Sequence, residues 1–337
     1  MFPRESAEFI VKHAKNVSFK EEGIQKLSKM VIQDIVSHKL TPSNFSQHDL
    51  HPKPMDPWAL DWIFIVDTLN FCFWTPGIGN STKYRVNGHT GYFALCAAIN
   101  RAMKEGIDIT NPKYYSSIDV TSLQKLMRSD DGVTKVPLLP ERVNCLQQVG
   151  QVLLEKYKGT FKNCVLEAEN SAQNLLKLIT NDFICFRDEA LYNGQRVSFY
   201  KRAQILVGDV WSCFSGKDIG YFHDIDTITM FADYRVPQVL VHFGAMAYTE
   251  ALYERLAKEE LMPNGSDDEI EIRGTSIYIC EQIKNFIRKQ IRDNQIQTIS
   301  ENDVNGILID HFLWDYRRKN AEMLNYIPFH KVLCIYY

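Results

Sequence analysis

The sequence predicts an all-α protein, mainly helical with small β appendages. Apolar residues recur three and four positions apart in about ten segments, alternating apolar–polar runs are few and short, and Gly, Pro and Asn-Gly clusters punctuate the segments as turns.

Taken in order, residues 1–40 read as helical, from Ser6-Ala-Glu-Phe-Ile-Val-Lys and Gly23-Ile-Gln-Lys-Leu-Ser-Lys-Met-Val-Ile. Four prolines make 41–57 an irregular loop. Trp58 to Trp74 is a strongly apolar helix with Asp67 and Asn70 as polar intrusions. Pro76, Gly77, Gly79 and Asn87-Gly88 make 75–90 a turn or hairpin, with Lys83-Tyr-Arg-Val as its strand. Helices are expected over Gly91–Gly106, Asp119–Arg128, Pro140–Tyr157 and Asn163–Thr180. Tyr192-Asn-Gly-Gln-Arg-Val is a hairpin, since Asn-Gly suits a type I′ turn. Phe199–Phe214 is helical, and Asp226 to Gln238 is a helix or loop stopping before Pro237. One helix is expected from about Pro237 to Leu261, then a polar stretch at 263–269 that favours disorder. Helices near 274–293 and 300–318 precede an extended tail from Lys331 to Tyr337.

The 337 residues, 45% hydrophobic and 23% charged, suffice for a packed core. A net charge of −3 disfavours a polymeric nucleic acid as substrate, because gripping many phosphates requires a basic surplus. The eight cysteines are scattered without a CxxC pair, which reads as buried thiols in a reducing compartment and not as a zinc site. No run reaches the ~20 apolar residues of a membrane span, and the N-terminus lacks a signal-peptide pattern, so a cytoplasmic protein is expected.

Four segments place polar groups among apolar ones. In Asp67-Thr-Leu-Asn-Phe-Cys-Phe-Trp, helical spacing would put Asp67, Asn70, Phe71 and Trp74 on one face, as a ligand wall or as a polar pair between helices. Arg196-Val-Ser-Phe-Tyr-Lys-Arg-Ala-Gln opens a helix with Lys201 and Arg202 near its start, suited to a single phosphate or to a solvated turn. In Phe231-Ala-Asp-Tyr-Arg-Val-Pro-Gln, Phe231 and Asp233 can stack on a base and accept its N–H groups, or Asp233 pairs with Arg235 or caps the next helix. Asp310-His-Phe-Leu-Trp-Asp-Tyr gathers Asp310, His311, Trp314 and Asp315 within two helical turns, as a site or as an aromatic core helix. Dinucleotide, P-loop, zincin and α/β-hydrolase signatures are absent.

These segments closely resemble the queuosine salvage protein family, the queuosine 5′-phosphate N-glycosylases. The resemblance runs from Pro3-Arg-Glu-Ser through Asp67-Thr-Leu-Asn-Phe, Glu169-Asn-Ser-Ala-Gln, Arg196-Val-Ser-Phe-Tyr-Lys-Arg-Ala-Gln, Met230-Phe-Ala-Asp-Tyr-Arg-Val-Pro-Gln, Glu271-Ile-Arg-Gly and Leu313-Trp-Asp-Tyr to Ile327-Pro-Phe-His and Cys334-Ile-Tyr-Tyr. Covering nearly the whole chain, it implies a single domain over 1–337, with an N-terminal helical portion over about 1–57. It implies a fold similar to the helix-hairpin-helix DNA glycosylases, a pocket for a 7-deazaguanine nucleotide, and no cofactor or metal. Asp315 would be the catalytic carboxylate. His48, Phe231, Asp233, Asp310 and His311 would surround the base; at His311 the family pattern has tyrosine.

Cleaving an N-glycosidic bond builds positive charge at C1′ and the ring oxygen, which an aspartate such as Asp315 can stabilise or attack. A 7-deazaguanine has carbon at position 7, so it cannot leave by N7 protonation. Hydrogen bonds to O6 and N3 must spread its charge. Asp233 or Asp310 would accept from the guanine-like edge or pair with queuine's ammonium, and Lys201 would hold the 5′-phosphate, helped by Arg202 or Arg235. The expected partners are thus queuosine 5′-phosphate and its product queuine, with no stable nucleic-acid complex and no membrane insertion. Two alternatives differ in class. A non-catalytic queuine- or nucleotide-binding protein would not need Asp315, and a base-excision glycosylase would need a basic face. Base release from the mononucleotide, compared with release from an oligonucleotide, separates them.

Overall fold

The computed structural model describes residues 1–77 and 83–337, so Gly79 of the expected 75–90 turn lies outside the described residues. The longest element is the helix Asp267–Arg292, and its sequence accounts for its length. Asp267, Asp268 and Glu269 occupy its first turn and Lys289 and Arg292 its last, which suits the helix dipole at both ends. It starts earlier than the expected residue 274, because the acidic stretch read as loop is itself this first turn. Its middle is buried almost all round, including Ile270, Ile272, Arg273, Gly274 and Ile277.

The chain forms two compact units, one of 1–42, 188–204 and 225–333, the other of 43–187, 205–224 and 334–337. In the first, the helix Asp267–Arg292 is the hub. It packs against the helices Pro3–His13, Glu21–Val36, Val236–His242 and Gly306–Lys319. Two antiparallel hydrogen-bonded pairs complete the unit: Val17–Phe19 with Met246–Tyr248, and Glu189–Tyr192 with Gln195–Ser198. The second pair is the expected hairpin, with Asn193 and Gly194 at φ 46° and 75° as a type I′ turn requires. The predicted single helix from Pro237 to Leu261 is instead Val236–His242, the strand Met246–Tyr248, and Glu250–Ala257, with Gly244 at φ 71° breaking the run. Pro237 lies in the first turn of its helix, as expected, where a missing N–H costs nothing.

In the second unit the helix Ala59–Leu69 is central, buried at Trp62, Phe64 and Ile65, and flanked by Tyr92–Lys104, Leu139–Lys156 and Phe161–Glu167. It ends at Leu69, short of the expected Trp74. Arg142 explains the stop: its guanidinium donates to the carbonyls of Leu69, Phe71 and Cys72, giving the chain partners other than the next helical turn. The predicted helix Asn163–Thr180 is likewise two, Phe161–Glu167 and Ala172–Asp182, separated by left-handed Glu169 and Asn170. Asp224 then caps the second helix through the Ser171 hydroxyl and the N–H of Ala172. All eight cysteines are buried and free, as their apolar surroundings suggested. Among the described residues, no helix is long and apolar enough to cross a membrane.

Gly274 lets two helices touch. A Cβ there would lie 2.6–2.9 Å from Ile10 side-chain atoms of Pro3–His13. Gly274→Ala is therefore expected to destabilise the protein by about 1–3 kcal/mol through overpacking, despite the better helix propensity of alanine. Ile10→Ala in the same chain should relieve the clash, so that the two losses are less than additive, and denaturant titration of the three variants measures the coupling.

Candidate active site

Residues 228–234, between the short turn Ile225–Thr227 and the helix Val236–His242, form no regular element, yet three contacts fix them. Gln204 grips Thr229 in both directions: its Oε1 accepts the Thr229 N–H at 2.9 Å and its Nε2 donates to the Thr229 Oγ1 at 2.8 Å. Gly306, the first residue of Gly306–Lys319, sits so close that a Cβ would be 2.9 Å from the Ile228 carbonyl oxygen. Arg273 donates from Nε to the Ala232 carbonyl at 3.0 Å. Backbone that cannot pair within itself must find such partners when buried.

This framing brings the two predicted base-reading segments together. The Phe231 N–H donates to Asp310 Oδ1 at 3.0 Å, and the Phe231 ring lies 6.4 Å from His311, tilted by 58°. Phe231 and Asp310 are 2% and 5% exposed. Burial drives the Asp310 pKa well above the ordinary carboxylate value, and neighbouring Asp233 drives it further. The Phe231 N–H and Lys201 oppose the shift without cancelling it. The Asp310 carboxyl is thus held toward its neutral form, which makes it a donor as well as an acceptor. Burial lowers His311 to about 4, so its imidazole is neutral.

Asp233 is half-buried and accepts the N–H groups of Arg235 and Val236 on Oδ1, both at 2.8 Å. The capping role weighed from the sequence is therefore present, and it uses one of the two oxygens. Arg235 lies over the Phe329 ring at 4.2 Å and donates to Gln238. Lys201 opens the helix Lys201–Cys213 and is buried; its backbone N–H donates to Asp188 Oδ2 at 3.1 Å.

The remaining predicted residues make contacts of their own. Asp315 lies on the helix of Asp310 and His311, but its side chain is 52% exposed, with Lys319 Nζ 3.7 Å away. His48 belongs to the other compact unit, where its ring stacks on Phe93 at 4.2 Å and 4° and its Nδ1 accepts the Leu50 N–H. Asp67 and Asn70 are also in that unit, and the Asn70 amide donates to the Asp67 carboxylate at 3.3 Å. Because Ala59–Leu69 ends before Asn70, the expected helical face of Asp67, Asn70, Phe71 and Trp74 does not form.

Sequence reasoning missed Asp188 and gave Arg273 no role. Both are buried, and they form a two-bonded ion pair, Nη1–Oδ1 at 2.9 Å and Nη2–Oδ2 at 2.6 Å. Arg273 shares the stretch 270–277 with Glu271, Thr275 and Ser276, so no local pattern marks it, and its carboxylate partner lies 85 positions away.

Comparisons with known proteins place the chain. The sequence profile described as queuosine salvage protein matches residues 50–337. Proteins named queuosine 5′-phosphate N-glycosylase/hydrolase are similar over nearly their whole lengths. The one from Mus musculus is 42% identical over 337 residues, covering 99% of this chain and 98% of that protein. The one from Nematostella vectensis is 42% identical over 346 residues, covering 100% and 99%. The one from Schizosaccharomyces pombe (strain 972 / ATCC 24843) is 39% identical over 326 residues, covering 94% and 91%. A mainly helical chain with this profile is a member of the queuosine salvage protein family.

Two histidines give the stability a pH dependence. His311 and His330 have folded values near 4 and 3, both lowered chiefly by burial. Both lie below the ~6.5 of an unfolded histidine, so the unfolded chain takes up a proton that the native state excludes. Stability is then intact above about pH 6.5 and falls as pH drops from there toward 4 for His311 and 3 for His330. Each should remove about 1–2 kcal/mol between pH 7 and pH 5. Denaturant titrations of wild type and His330→Gln at both pH values measure the difference. An equal acid loss in the two proteins would assign it to other groups.

Proposed function

We propose that the protein hydrolyses the N-glycosidic bond of queuosine 5′-phosphate, releasing queuine for return to tRNA. The reading is supported most by near-full-length similarity to relatives named for that reaction. Phe231, Asp233, Asp310 and Lys201 within one compact unit add to that support. Phe231 stacks on the base. Asp310, held toward its neutral form, donates to O6 or N3 and spreads the charge of the departing 7-deazaguanine, which has no N7 to protonate. Asp233 accepts from the N–H edge of the base or pairs with the ammonium of queuine. His311, being neutral, can stack on the base or hydrogen-bond to it without bringing a charge. Lys201 holds the 5′-phosphate. Asp315 stabilises the cation that grows on the ribosyl C1′ or attacks it, and water completes the hydrolysis to ribose 5-phosphate. Side chains carry the whole reaction without a cofactor. The architecture is read as akin to the helix-hairpin-helix glycosylases, acting in the cytoplasm on a mononucleotide and not on a nucleic-acid chain.

Asp315→Asn is nearly isosteric and should lower queuine release by roughly 10²–10³ or more while leaving queuine binding in place. Mass-spectrometric detection of queuine released from queuosine 5′-phosphate checks it, and near-normal turnover would remove Asp315 from the chemistry. Lys201→Ala should impair the nucleotide more than the unphosphorylated nucleoside, since a charged contact to phosphate contributes about 1.5–3 kcal/mol. Equal fractional losses on the two substrates would place the phosphate elsewhere.

A further inference from the structure

Beside the Gln204–Thr229 hydrogen bonds, a buried ion pair joins the start of the Lys201 helix to the segment that carries Phe231 and Asp233. Asp188 spends both carboxylate oxygens on Arg273, and its Oδ2 also accepts the Lys201 N–H at 3.1 Å. Its own carbonyl accepts the N–H groups of Phe199 at 3.0 Å and Tyr200 at 3.4 Å, so the turn into the helix is folded around this one residue. From the other side of the same guanidinium, Nε holds the Ala232 carbonyl at 3.0 Å. The Phe199 ring lies 4.2 Å beneath it. Arg273 and Asp188 are 2% and 4% exposed, so neither can exchange its partner for water.

We propose that the Arg273–Asp188 pair is a positioning device that sets the separation between Lys201 and the Phe231–Asp233 segment. The inference rests on the glycosidase reading for the identity of the ligand. A phosphate holder and a base reader act on one nucleotide only when their spacing matches it, and a misplacement of about 1 Å can cost on the order of a hundredfold in rate. The planar fork of arginine supplies two bonds to the carboxylate and a third to the Ala232 carbonyl in fixed directions, which a lysine cannot reproduce. Neither residue touches the substrate in this scheme. Both act through Lys201 and through Ala232.

Arg273→Lys keeps the charge and loses the fork. In protein that retains native near-UV circular dichroism, it should raise the KM for queuosine 5′-phosphate and the queuine Kd each by roughly tenfold or more. A merely structural role would lower the melting temperature and the active fraction but leave both constants of the folded protein unchanged. Phe199→Leu, which keeps every hydrogen bond and removes the ring beneath the guanidinium, should shift both constants in the same direction by less, and it carries the test if Arg273→Lys does not fold. In a Lys201→Ala background, Arg273→Lys should no longer change the ratio of nucleotide to nucleoside KM, while it still weakens queuine. Wild-type constants in folded Arg273→Lys, or a ratio that changes additively with Lys201→Ala, would overturn the proposal. Queuine affinity is measured by calorimetry without turnover. A wild-type protein that binds queuine but releases none would therefore end the hydrolase reading, and the variants' affinities would still decide the positioning.

Discussion

Burying the Arg273 guanidinium is the constraint around which the first compact unit is arranged. A guanidinium in a low-dielectric interior must find anionic and carbonyl partners, and removing one partner of such a pair is far more costly than removing an exposed pair. Arg273 sits in the middle of the helix Asp267–Arg292, at the hub of that unit. Glu269, one turn earlier on the same helix, lies 3.7 Å from it, and the hydrogen-bonded partners have to be brought to the hub from elsewhere. Asp188 comes from the start of the hairpin Glu189–Ser198, and the Ala232 carbonyl from an irregular segment. Once both are in place, the hairpin, the Lys201 helix and the 228–234 segment have little freedom left. Gly274, next along the chain, admits Ile10 and closes the opposite helix contact.

The helical class was legible in the sequence because packing against a hub needs only apolar residues at helical spacing, and those survive in every long segment. The breaks were less legible. Trp58–Trp74 reads as one apolar run, but the carbonyl partners supplied by Arg142 end its helix at Leu69. Asn163–Thr180 has helical spacing throughout, yet left-handed Glu169 and Asn170 split it, with Asp224 as the distant cap. In both cases the decisive group lies more than fifty positions away, out of reach of any local pattern. Where the deciding chemistry is local, as in the Asn193-Gly194 turn, sequence and structure coincide.

The same division runs through the candidate site. Aromatic and acidic residues crowded into short apolar segments drew attention to Phe231, Asp233, Asp310 and His311, and the structure brings these segments into contact. The contact itself depends on Gly306 meeting Ile228 and Thr229, and on Gln204 holding Thr229, and none of these residues has a feature that marks it in advance. The Glu169-Asn-Ser-Ala-Gln segment carried as much of the family resemblance as the site segments did. Its residues form a helix break and cap. A shared motif can therefore reflect a turn the fold requires as readily as a group the reaction requires.

Asp310 and Asp315 lie on one helix, five residues apart, in opposite surroundings. Asp310 is 5% exposed, hydrogen-bonded to a backbone N–H, and pushed toward its neutral form by burial and by Asp233. The Asp315 side chain is 52% exposed, with the Lys319 ammonium 3.7 Å away. Two carboxyl groups whose environments diverge in this way are suited to different tasks. A glycosidase acting on a 7-deazaguanine nucleotide needs both tasks at once: a donor that draws charge onto a base lacking N7, and an anion that meets the positive charge left on the ribose. In the proposed function the 310–315 stretch supplies both from a single element. The proposed reaction therefore rests on a difference in solvation between two aspartates, and not on an unusual residue.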